Sequence, residues 1–211
     1  APYQLVGSRI YFSKPDGSIF SQSIYSSEAE LFAKSVLMKI SDIGFSGNRL
    51  FLATEDDVLS LRSRAFSVGS NTSRSRSNYS FLTQRYDNPL QTDSGIIVLS
   101  EQRFLLYPTK GSQNVLYLFE ENEFIKLDTE LTGPIQAAGV YNDDVLLLEQ
   151  GGTLRIIDPR VDAELFNYTS FGLQGATESY DDKIIVARNK NEFINTTLLS
   201  INPNTSETVP I

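Results

Sequence analysis

Residues 62–86, RSRAFSVGSNTSRSRSNYSFLTQRY, carry the sharpest chemical contrast in the chain. Five arginines (Arg62, Arg64, Arg74, Arg76 and Arg85) and seven serines stand there without one acidic residue. The remaining residues hold 13 basic and 26 acidic side chains, so a basic segment interrupts an acidic body. Planar guanidinium groups pair with carboxylates and phosphates, and hydroxyls accept phosphate, so the chemistry on offer is anion recognition and regulated charge.

Three readings of this segment stay open. In the plainest, it is a solvated loop drawn toward the acidic body; residues 69–78 hold too few apolar groups to offset ordering entropy, so disorder is expected there. In the second, Ser67 is a phosphorylation site. Arg62 and Arg64 lie five and three residues before it and Phe66 directly before, a pattern that resembles a basophilic-kinase site. In the third, Arg62, Arg64, Arg74, Arg76 and Arg85 form a docking arm for an acidic partner, RNA or anionic lipid, with Tyr79, Phe81 and Tyr86 as stacking or anchoring groups.

Other chemistry is thinner. Cysteine and histidine are both absent, which removes disulfides, thiolate metal sites and every Ser-His or Cys-His dyad. The paired carboxylates Asp56-Asp57, Asp143-Asp144 and Asp181-Asp182 fall where tight turns are predicted, and no calcium loop surrounds them. Asp42 and Glu178 fall on predicted strands and could serve as the acid pair of a carbohydrate hydrolase; Gln4 and Gln136 occupy similar positions. No Gly-rich phosphate loop follows a strand. No catalytic residues, metal or cofactor are therefore expected. A net charge of −8 argues against a DNA-binding surface. Five N-x-S/T sequons, at Asn71, Asn78, Asn167, Asn195 and Asn204, would matter only in a secreted protein.

The elements that must position these residues are announced by a repeat. GSRIYF, GNRLFLAT, DSGIIVLS, NDDVLLLE and DDKIIVAR each set a turn signal before β-branched or aromatic residues. Their first apolar residues, Ile10, Leu50, Ile96, Val145 and Ile184, stand 40, 46, 49 and 39 residues apart. That is the period of a four-stranded propeller blade. The landmark strands are apolar on consecutive positions, as strands covered on both faces must be. Fourth strands such as Glu123-Phe124-Ile125-Lys126-Leu127 alternate, as expected of an outer edge. Ser27 to Ile40 begins like a helix capping box, although strand-loop-strand suits the period better.

On this pattern the chain resembles the WD40-like and related β-propeller superfamily over essentially its whole length. Thr153 to Arg160, TLRIIDPR, is similar to a third strand and turn of coronin-type propellers. Leu198 to Thr205, LLSINPNT, resembles a turn of quinoprotein-like and lactonase-like propellers. Without His or Trp, the Gly-His and Trp-Asp marks of true WD repeats are absent.

The resemblance implies one all-β propeller domain over 1–211, with blades near 1–34, 35–66, 87–130, 131–170 and 171–211 and a basic insertion over 67–86. Five blades either close a ring or form part of a six- to eight-bladed one. A start at Ala1-Pro2, without Met, reads as trimmed or processed. The expected function is a non-catalytic protein-interaction scaffold in a larger complex, binding acidic or peptide-presenting proteins. With no apolar run of membrane-spanning length and no cysteine, an intracellular, cytoplasmic or nuclear location is expected. The alternative is a secreted or surface propeller that binds or hydrolyses carbohydrate.

Overall fold

Short apolar runs separated by turn residues cannot form helices with one apolar face; they form antiparallel meanders. The computed structural model describes residues 2–33, 39–47, 49–62, 82–110, 114–180, 182–189 and 196–211. Every regular element among them is a strand. The first sheet runs β1 (Tyr3–Val6), β2 (Arg9–Ser13), β3 (Ile19–Ser23), β4 (Ala29–Ala33). The second is β5 (Asp42–Ser46), β6 (Arg49–Ala53), β7 (Asp57–Arg62), β8 (Leu82–Asp87). The third is β9 (Ser94–Ser100), β10 (Arg103–Pro108), β11 (Tyr117–Glu120), β12 (Glu123–Lys126). The fourth is β13 (Ile135–Tyr141), β14 (Asp144–Glu149), β15 (Thr153–Asp158), β16 (Ala163–Thr169). The fifth is β17 (Leu173–Tyr180), β18 (Lys183–Asn189), β19 (Thr196–Asn202), β20 (Glu207–Pro210). In each sheet the strands lie in chain order, giving five four-stranded blades of a β-propeller.

The repeat register needs one correction. Ile10, Leu50, Val145 and Ile184 are each the second residue of a second strand, but Ile96 lies on the first strand β9. The equivalent residue is Phe104 on β10, so the true spacings are 40, 54, 41 and 39 residues. The long interval absorbs the basic segment between β7 and β8. Ile96 misleads because Gly95 to Leu99 is as apolar as any second strand, and local pattern carries no strand ordinal. The fourth strand of the second sheet, obscure in the sequence, is β8. The helix-like start at Ser27 leads into a strand instead, β4.

Two compact units divide the chain, Ala1–Phe104 and Leu105–Ile211. In the first, Tyr11, Ile19 and Phe32 of the first sheet pack against Ile43, Leu50 and Leu52 of the second. Tyr11 and Phe45 rings meet at 4.4 Å. Gly44 lets β5 approach β9 closely, since a Cβ there would overlap Val98 Cγ2. In the second unit Leu146, Leu148, Leu154 and Ile156 pack against Leu173, Ile184, Val186 and Leu199. Val145 to Leu148 are wholly buried, as consecutive apolar residues on a two-sided strand predict. Each such side chain contributes about 1.5–3 kcal/mol of burial.

Candidate functional site

The basic segment is bracketed by two adjacent strands. β7 and β8 pair antiparallel through Asp57↔Asp87, Val58↔Tyr86, Leu59↔Arg85 and Ser60↔Gln84. Its two ends are thus fixed to one sheet. Of the sequence-predicted site residues, Arg62 closes β7 and Arg85 and Tyr86 lie on β8. Arg64, Ser67, Arg74, Arg76, Tyr79 and Phe81 lie outside the described residues, as does the side chain of Arg62.

The foot at β8 is held by polar contacts. Arg85 Nε donates to Asp57 Oδ1 at 2.6 Å, joining a half-exposed guanidinium to a buried carboxylate. The hydrogen bond and charge of Asp57 raise the pKa of Arg85 further, so it stays cationic throughout. Thr54 orients the turn before Asp57: its Oγ1 accepts from the Asp57 N–H and donates to the Asp57 carbonyl, both at 2.9 Å. Gln84 Oε1 accepts from the Tyr86 hydroxyl at 2.6 Å and from Arg49 Nη1 at 3.3 Å. Arg49 also reaches Glu101, at 3.6 Å between Nε and Oε2. Burial raises the pKa of the Tyr86 phenol, whose ring lies 6.1 Å from that of Phe104. The structure therefore brings Arg85 and Tyr86 together with Asp57, read from the sequence as half of a turn pair, and with Arg49 and Gln84, which no sequence pattern singles out.

Of the two first-strand acids, Asp42 is engaged with backbone donors. Asp42 Oδ1 accepts from the Ile43 N–H at 2.8 Å, and Oδ2 accepts from the Ile96 N–H on β9 at 2.9 Å. Its carboxylate ties one first strand to the next. Gln136, at the matching place on β13, donates to the Leu173 carbonyl on β17 at 3.0 Å and to Glu149 O at 3.2 Å. Gln4 on β1 buries its Oε1 with no hydrogen-bond partner among the described residues. The side chain of Glu178 lies outside them.

The most buried charge in the second unit is one that sequence reasoning missed. Glu149 is wholly buried; its Oε1 sits 2.5 Å from Arg155 Nε. Oε2 accepts from the N–H groups of Thr132 at 2.6 Å and Gly133 at 3.1 Å, and from the Thr132 hydroxyl. Arg155 Nη1 meets Glu164 Oε2 at 2.5 Å. The available signal was a glutamate closing the apolar run Val145 to Leu148. This carboxylate is spent on backbone donors and one arginine, a structural use.

Of the acidic pairs expected in turns, Asp56, Asp143 and Asp182 lie in them, whereas Asp57 opens β7 and Asp144 opens β14; Asp181 lies outside the described residues. Asn142, Asp143 and Asp182 adopt φ of 48°, 68° and 56°, the left-handed conformation that Asn and Asp tolerate best. Among the described residues no group of three or more His, Cys, Asp or Glu is placed to hold a metal ion.

No protein-family model and no curated protein matches this sequence. Solved structures do match. The WD40 domain of Neurospora crassa Pan2 superimposes with a TM-score of 0.68 at 11% identity, covering 100% of this chain and 64% of that one. The chain has the fold of a WD40-type β-propeller. The Cps50 (Swd1) propeller domain of Myceliophteria thermophila gives a TM-score of 0.65 at 11% identity, covering 100% of this propeller and 70% of that domain. A chain of the mitotic checkpoint complex gives 0.66 at 11% identity, covering 95% and 61%. This propeller thus spans less than two thirds of the Pan2 domain's length. No helix among its described residues is long and apolar enough to cross a membrane.

Proposed function

We propose that this propeller is a non-catalytic protein-interaction scaffold, a subunit of a larger intracellular complex, whose basic segment after β7 is its regulated docking arm. The observation that carries the reading is how the arm is mounted. Arg62 and Leu82 end on paired neighbouring strands, and Arg85, at its foot, is pinned to the buried Asp57. A rigid sheet thereby offers a cationic segment whose arginines suit an acidic or phosphorylated peptide. Phosphate on Ser67, within reach in sequence of Arg62 and Arg64, would compete for those arginines and weaken such a partner. Matches to WD40 propeller domains support the platform. Against the carbohydrate reading stands Asp42, both of whose oxygens hold backbone N–H groups.

The test is affinity capture with mass spectrometry, comparing the intact chain with one lacking residues 66–80. The expected outcome is a defined set of partners lost on deletion and reduced by phosphorylation at Ser67. Recovery of the same proteins by both forms would sink the docking arm. Cleavage of any substrate in a glycoside panel, abolished by Asp42→Ala, would replace the scaffold with the hydrolase.

A further inference from the structure

Covalent modification of a lysine needs more than a sequence pattern: the target must lie extended and open to an enzyme. Among the seven lysines of the chain, Lys126 alone both follows a branched aliphatic residue, Ile125, and stands two residues before an acid, Asp128. Lys14 and Lys190 also have an acid two residues on, but Ser13 and Asn189 precede them. The order branched aliphatic, lysine, any residue, acid is what the conjugating enzyme of a small ubiquitin-like modifier reads in an extended peptide. The aliphatic side chain packs on the enzyme, the lysine enters its thioester site, and the acid meets basic groups beside it.

The structure supplies that setting. β12 (Glu123–Lys126) is the outermost strand of the third sheet and pairs with β11 alone, setting Leu118 against Ile125 and Tyr117 against Lys126. The Leu127 N–H continues the pairing to the Leu116 carbonyl at 3.0 Å, so the extended backbone runs past Lys126. Phe124, its ring 5.1 Å from that of Phe119, and the buried Leu127 hold the segment to its sheet. Ile125, by contrast, is 47% exposed, and Lys126 and Asp128 are exposed with it. Neither the Lys126 ammonium nor the Asp128 carboxylate has a hydrogen-bond or ion-pair partner among the described residues; Asp128 is engaged through its backbone N–H, which donates to Asp162. Lys39, by comparison, is paired with Asp93 at 2.7 Å.

We propose that Lys126 is a conjugation site for a small ubiquitin-like modifier. The modifier arrives as a thioester on the cysteine of its conjugating enzyme. Lys126 gives up a proton and its Nζ attacks the thioester carbonyl; the C–N bond forms, the C–S bond breaks, and the enzyme's thiol leaves. The product is an isopeptide that mounts a second folded domain on the outer edge of the third sheet. A lysine on an edge strand also blunts unwanted strand addition. That use needs the charge alone and is indifferent to Asp128, so the two roles separate by experiment. This modification rests on the intracellular reading, yet it is measured on the purified chain, so it can fail while partner capture succeeds, and the reverse.

Reconstituted conjugation tests it. The purified full chain is incubated with a small ubiquitin-like modifier, its activating and conjugating enzymes, ATP and magnesium, then followed by gel shift and peptide mass spectrometry. One added modifier, on Lys126, is expected. Lys126→Arg, which keeps the charge on the edge strand, should abolish the shift. Asp128→Ala should slow conjugation at least tenfold, whereas Asp128→Glu should retain it. Far-ultraviolet circular dichroism checks that each variant is folded like the parent. No adduct on the parent, an adduct carried by another lysine in place of Lys126, or conjugation of Asp128→Ala at the parent's rate would each overturn the proposal.

Discussion

Asp57 on β7 and Glu149 on β14 are both buried carboxylates paired with arginine, and they are buried on different terms. Asp57 relies on Arg85, whose side chain is 57% exposed, and its Oδ2 has no hydrogen-bond partner among the described residues. Glu149 faces Arg155, 11% exposed, and its second oxygen collects two backbone N–H groups and a hydroxyl. A buried charge is tolerated to the extent that donors surround it, so the second site is a closed network and the first a latch to an outer strand. The latch sits at the foot of the basic segment; the closed network lies in a sheet without an insertion.

The largest effect is expected at the closed network. Glu149→Ala strips Arg155 of one of two carboxylates and leaves the donors of Thr132 and Gly133 unmet, a loss of about 3–4 kcal/mol. The urea midpoint measures it; a shift no larger than a surface substitution gives would erase the contrast between the two sites. Asp57→Ala should cost less, about 1–2 kcal/mol, because its one arginine returns to water. A double-mutant cycle with Arg85→Ala sharpens this, and the coupling should shrink at high salt, where exposed charges are screened.

The smallest effect belongs to Asp144, at the opposite end of β14 from Glu149. Burial, then the neighbouring charge of Asp158, raise its pKa above the ordinary 3.8, with Arg160 opposing. The folded protein thus holds this proton more tightly than the unfolded chain. Ionisation of Asp144 costs stability as pH rises through the window from 3.8 to the raised folded value. Asp144→Asn should remove that cost: its urea midpoint matches the parent's below the window and exceeds it above. A midpoint difference that runs the other way with pH would show Arg160 to outweigh burial.

Architecture was largely legible. Turn residues, β-branched runs and a period near 40 residues are local features, and four of five landmark residues stand at the same position of the same strand. Ile96 was misplaced because an apolar first strand and an apolar second strand look alike until pairing is known. The chemistry was far less legible. Asp42 was visible in the sequence as a carboxylate on a first strand, while the Ile96 N–H it accepts from lies 54 residues away. Arg85 was legible as one of the arginines of the basic segment, but its partner Asp57, which precedes the whole insertion, was not.

By itself, the sequence determined the all-β meander, the five repeats, the absence of histidine and cysteine chemistry, and the charge contrast of residues 62–86. Those follow from composition and from patterns a few residues long, which turn geometry and strand alternation translate directly. Only the tertiary structure decided which polar side chains are spent on other strands and which sheets share a core. Those outcomes depend on register and on the packing of sheets, where residues distant in sequence meet, and no local pattern encodes the meeting.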